Sequence, residues 1–172
     1  MPKIIGTSAG IGGGNFTLLV ADGANASRTG ATTEATMKTL TVSGGQIGAN
    51  GKLILMLMTK DSGTNGTKTY RIKFGGSTIV TLTDASTFEG SQTFELVIVN
   101  RNAQNSQIMR HFAEYNTSSA ENQTVEGQTD TYNSFGLYTI DTSLNQTLEV
   151  TGQLANSLDT MNIRSWFVWV IK

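Results

Sequence analysis

The 172-residue chain has no cysteine, which removes disulfide staples, thiolate nucleophiles and soft metal ligands together. Its single histidine, His111, leaves little room for imidazole chemistry, and its single proline, Pro2, leaves the interior without a fixed-φ breaker. Charged residues make up 15% of the chain and nearly cancel, to a net −1. No basic field is present to draw the protein to nucleic acid. The longest apolar runs, Leu53 to Met58 and Trp166 to Ile171, are six residues each, against the roughly 20 a membrane-spanning helix needs. The first residues, MPKIIGTSAGIGGG, lack the apolar segment of a secretory signal, so the expectation is synthesis in a cytoplasm.

What the chain does contain is strand signal. Residues 52–83 read as three consecutive antiparallel strands, KLILMLMT, KTYRIKF and STIVTLT. In the second, Tyr70, Ile72 and Phe74 alternate with Thr69, Arg71 and Lys73, the period-2 pattern of a sheet with one buried and one wet face. Gly75-Gly76 fits a tight primed turn, which needs positive φ, and Asn65-Gly66 offers the same chemistry in the preceding loop. The first strand differs. Leu53, Leu55 and Leu57 alternate with Ile54, Met56 and Met58, so both faces are apolar and must both be covered, by the same domain or by a neighbouring subunit.

Further strands are expected at 16–21, 35–43, 93–101, 107–114, 135–140, 146–151 and 161–172, separated by Gly, Asn, Asp and Ser clusters. The last strand is again apolar on both sides, with Ile163, Phe167, Trp169 and Ile171 opposed to Trp166, Val168 and Val170. Eight to ten short strands and no helical periodicity predict an all-β fold, a β-sandwich of jelly-roll type. One domain spans 15–172, preceded by a flexible glycine-rich N-terminal arm over 1–14. The polar stretch 116–134 is the longest loop, of a length that usually serves function.

Chemistry finds few groups to work with. His111 and Arg110 point to opposite faces of a strand, nothing nearby resembles a nucleophile elbow, and the expectation for His111 is a surface or interface residue. Asp61 to Gly66 carries oxygens at alternate positions as a calcium loop does. Its twelfth position is Ile72, where a bidentate glutamate belongs, and a hairpin turn explains the same residues. Gly10 to Gly14 fails the dinucleotide fingerprint at Asn15. No catalytic, cofactor or metal residue is assigned, and no enzyme activity is expected.

The pieces GANGKLILMLM, TYRIKFGGSTI, FELVIVNRNAQNSQ and TIDTSLNQTLEVTGQLANSLDTMNIRSWFVWVI, spread over about residues 47–171, resemble a family of small structural proteins of tailed bacteriophages. The resemblance implies a jelly-roll virion protein on the capsid exterior. It would be a head decoration (cement) protein that binds the major capsid protein as a homotrimer, with no nucleic-acid or membrane partner. The alternative it leaves open is a tail-fibre or receptor-binding module, in which Tyr115, Tyr132 and Phe135 beside the long loop stack on host-surface glycan.

Overall fold

The computed structural model describes residues 7–8, 15–64, 66–84, 90–117 and 135–172. The described residues form twelve strands: β1 Thr7–Ser8, β2 Phe16–Asp22, β3 Ala26–Thr29, β4 Ala35–Val42, β5 Lys52–Ser62, β6 Lys68–Phe74, β7 Ser77–Asp84, β8 Gly90–Asn100, β9 Gln107–Thr117, β10 Phe135–Tyr138, β11 Gln146–Leu154 and β12 Thr160–Ile171. They make two antiparallel sheets. The large sheet runs β1-β2-β12-β5-β8-β9-β10, with β3 also on β12, and the small sheet runs β4-β11-β6-β7.

If the eight strands β2, β4, β5, β6, β7, β8, β11 and β12 are numbered one to eight, the sheets read 1-8-3-6 and 2-7-4-5. That order is two Greek keys folded over one another, a jelly roll. The hairpin of β9 and β10 lies outside it, extending the large sheet past β8. β2 and β3 pair with the same side of β12, opposite Trp166–Ile171 and Thr160–Ile163, and so form one edge strand interrupted at Gly23-Ala24-Asn25.

The core lies between the sheets. Leu53, Leu55, Leu57, Phe94, Leu96, Ile98, Trp166, Val168 and Val170 enter it from the large sheet, and Tyr70, Ile72, Phe74, Val80, Leu82, Leu148 and Val150 from the small one. Each of these side chains contributes roughly 1.5–3 kcal/mol relative to exposure if it is a large apolar one. The alternation read in β6 is therefore the alternation found.

Several expectations change. β5 does not pair with β6: after Ser62 the chain crosses from the large sheet to the small one, and β5 instead lies between β12 and β8. Period-2 alternation reports which residues share a face and carries nothing about which strand is the neighbour. The β6–β7 hairpin is formed, with φ of 55° at Gly75 and 80° at Gly76. In the loop before it the left-handed glycine is Gly63, at φ 128°, and Asn65 lies outside the described residues. Ala26–Thr29, read as turn, is strand. In β12 a bulge between Ile163 and Ser165 reverses the alternation, so Ile163 is fully buried while Phe167, four residues on, faces outward. Of the arm expected over 1–14, Thr7–Ser8 is described and pairs with Phe16 and Thr17. The loop expected from 116 starts later, because Asn116 and Thr117 pair with Ser91 and Gly90; its remainder lies outside the described residues.

Candidate functional site

The register of the large sheet places its outward residues in rows. One row reads Phe16, Ile171, Lys52, Val99, Ile108 and Leu137 across β2, β12, β5, β8, β9 and β10. The next reads Leu18, Trp169, Ile54, Val97 and Arg110, and the third Ala21, Phe167, Met56, Glu95 and Phe112. Met58 and Thr93 begin a fourth. Directly opposed residues on neighbouring strands sit roughly 5 Å apart, so these side chains form one mainly apolar surface. Phe16 stacks at a tilt on Trp169 with ring centroids 6.2 Å apart. Phe16 is 46% exposed, Met58 48%, Phe112 42% and Phe167 37%, and no described strand lies over them.

Among the described residues, no strand covers the second face of β5 and β12, which the sequence requires to be covered. A sheet face with five or more large apolar side chains in register is uncommon on a monomer and marks an interaction surface. Arg110, Lys52 and Glu95 are the charges set into it.

The groups singled out in sequence lie elsewhere. His111 is on the opposite face of β9 from Arg110, as the strand period requires; it is half-buried on the inward side and stacks on Phe94 at 5.8 Å. Burial holds its imidazole below the ordinary histidine range. The large sheet is wider than the small one, so the inward side of β9 is only partly covered at His111. The side chains of Tyr115 and Phe135, in β9 and β10, and all of Tyr132 lie outside the described residues.

The Asp61–Gly66 loop carries a buried cation of the protein's own. Lys68 Nζ donates to the carbonyls of Thr64 and Gly66 at 3.2 and 3.1 Å and lies 3.7 Å from Asp159 Oδ2, both side chains being essentially without solvent contact. The ammonium takes the loop oxygens that a metal ion would use. Burial alone would raise the Asp159 carboxyl, but the hydroxyl and amide of Thr64 both donate to it and Lys68 adds its charge. The net effect holds Asp159 below the usual carboxylate range. Beside it the Tyr70 hydroxyl donates to Asp61, and burial followed by that carboxylate's charge raises the phenol well above its ordinary value. Sequence reasoning missed this cluster: the alternation of β6 already puts Lys68 on the face of Tyr70, Ile72 and Phe74, but its partner Asp159 lies 91 residues away and no local pattern shows it.

At the other end of the sandwich, Asn100 Nδ2 donates to Thr142 Oγ1 at 2.8 Å, and Gln107 Nε2 donates to Asn100 Oδ1 at 2.9 Å. Gln107 Oε1 accepts the Ile140 amide at 2.9 Å, and Thr142 Oγ1 donates to the Gln104 carbonyl at 2.7 Å. These buried amides tie the 101–106 and 139–145 loops together, which is what the VNRN and DTSLNQ pieces are for. An open cleft of about 420 Å³ lies next to them, lined by Gly75, Ser77, Tyr138, Thr139, Asp141 and Gln146 among others. The Tyr138 hydroxyl donates to the Ile79 carbonyl at 3.1 Å, which joins β10 to β7.

No family model and no curated protein matches the sequence. Solved structures similar to the chain are mostly lectins. The Lotus tetragonolobus seed lectin is 7% identical, with 98% of this chain and 99% of that chain covered and a TM-score of 0.40. Lectin I from Ulex europaeus, in complex with the methyl glycoside of alpha-L-fucose, is 8% identical, with 99% and 93% covered and a TM-score of 0.36. The infectious bursal disease virus VP2 subviral particle is 12% identical, with 91% of this chain and 41% of that chain covered and a TM-score of 0.31. The jelly-roll assignment rests on the strand order of the two sheets.

Proposed function

We propose that the chain is a structural protein of a tailed-bacteriophage virion, a decoration protein that seats on the outer capsid surface as a homotrimer and stabilises it by binding alone. The observation that carries the reading is the open apolar face of the large sheet on a jelly roll whose other exposed sheet face is polar. Such a face is built for assembly, and the sequence pieces that form the strands and loops around it are those that resemble the phage family. The mechanism is adhesion: each copy bridges adjacent copies of the major capsid protein, and the free energy of contact opposes their separation under internal pressure. No bond is made or broken.

The test is the copy number of this chain per purified virion relative to the major capsid protein. A ratio near one, or one trimer per local threefold position, is the expected result. A few dozen copies per particle would place it in a fibre or vertex attachment with a receptor-binding role, and absence from virions would overturn the structural reading.

A further inference from the structure

The occupant of the apolar face follows from its size, its composition and its charges. Five strands spaced about 4.8 Å apart and rows repeating at about 6.8 Å give a footprint of roughly 25 Å by 20–25 Å. That is about 500–600 Å² in plan and more in accessible surface, close to the roughly 800 Å² per partner of a standard stable interface. Trp169, Ile54, Val97, Phe167 and Met56 adjoin one another in it, and Lys52, Glu95 and Arg110 are the charges among its rows. Faces this apolar belong to subunit contacts that form once and persist, whereas partners that meet and part use surfaces about as polar as the rest of the protein.

We infer that a second copy of this chain covers the face, and that the outer side of β2, β12, β5, β8 and β9 is the subunit interface of a homo-oligomer. The charges allow a self-complementary contact. Lys52 and Glu95 lie on adjacent strands two rows apart, on opposite sides of the Ile54–Val97 centre. A twofold rotation about an axis in the plane of the face, through that centre, brings Lys52 of one copy opposite Glu95 of the other, and does so twice. The two sheets then stack at the usual separation of about 10 Å, with the apolar rows interleaved. The contact uses the same face as the virion reading but is twofold, so it pairs copies face to face and is distinct from the threefold contact of the proposed trimer; the purified chain alone tests it.

The experiment is light scattering coupled to size-exclusion chromatography over a dilution series of the full chain, with far-UV circular dichroism as the check on folding. The wild-type chain is expected to be oligomeric at micromolar concentration. Met56→Glu, which puts a carboxylate at an outward position of the face, is expected to keep the β spectrum and weaken association by about 100-fold or more. Lys52→Glu is expected to weaken it by about 10-fold, and Lys52→Glu combined with Glu95→Lys to restore it. Thr39→Glu, on the outer face of the small sheet, is expected to change nothing. A monomeric wild-type chain overturns the inference, as does an oligomer that Met56→Glu and Lys52→Glu leave intact. If Met56→Glu does not fold, the charge-reversal pair decides the matter, because both of its positions are exposed.

Discussion

The two outer faces of the sandwich are made by the same rules from different residues. The outer face of the small sheet carries Thr39, Thr41, Thr147, Glu149, Lys73, Arg71, Thr78 and Thr81 in register. Glu34 closes it, accepting from Lys73 Nζ at 2.6 Å, Arg71 Nη1 at 3.0 Å and Thr151 Oγ1 at 2.6 Å. The outer face of the large sheet offers Trp169, Phe167, Ile54, Met56 and Phe112 at the equivalent positions. Threonine supplies the β-branched shape that favours a strand together with a hydroxyl that satisfies water, so this chain has a working solution for a wet sheet face. It uses that solution on one side only. The apolar face is therefore a specific feature and no accident of composition.

The largest effects are expected where the small sheet departs from its own pattern, at the inward Lys68. Lys68→Ala leaves the Asp159 carboxylate buried without its cation and is expected to cost about 3–5 kcal/mol in urea unfolding; a loss under about 1 kcal/mol would show that the pair is solvated. Next comes a contrast within one strand. Leu55→Ala, on the inward face of β5, is expected to cost about 2–5 kcal/mol, while Met56→Ala, one residue along, should cost far less when unfolding is followed at concentrations where the chain is monomeric. Equal costs would mean that the outer face is covered within the single chain.

The pH dependence separates the two ends of the sheets. His111 is held below the ordinary histidine value of 6.5 by burial. The unfolded chain takes up its proton first, so stability is expected to begin falling as pH drops below about 6.5. Asp159 is held below 3.8, and its contribution, present above that value, is lost as pH falls further toward the folded-state value. His111→Phe should remove the first step and leave the second; a single transition in the wild-type protein near pH 4 would contradict the placement of His111. The smallest effect is on the wet face, where Glu34→Gln removes a half-exposed carboxylate from Arg71 and Lys73 and should cost no more than about 1 kcal/mol, read in the same urea titration.

Much of this architecture was legible in the residues. The alternation of Tyr70, Ile72 and Phe74 set the buried face of β6, Gly75-Gly76 marked its turn, and the double-sided apolar runs of β5 and β12 announced a face in need of cover. What was not legible depended on neighbours. β5 pairs with β8 and β12, which both follow it, at separations of at least 29 and 98 residues, and no local pattern encodes that choice. The bulge at Arg164 has no turn residue to betray it, so it moved Ile163 to the core unannounced. The Lys68–Asp159 pair joins residues 91 positions apart through the meeting of two loops. The candidate surface itself was visible as a pattern in β5 and β12, while its breadth, from Phe16 to Phe112, required the register.

The most direct measurement on the apolar face is the solvent accessibility of Trp169 in a Trp166→Phe chain, where it is the only indole left. Acrylamide quenching and emission wavelength would be followed as the protein is diluted. The account predicts a shielded, blue-shifted Trp169 at high concentration that becomes quenchable and red-shifted on dilution, in step with the fall in mass. A Trp169 that is equally exposed at every concentration, in a chain that stays folded, would contradict it.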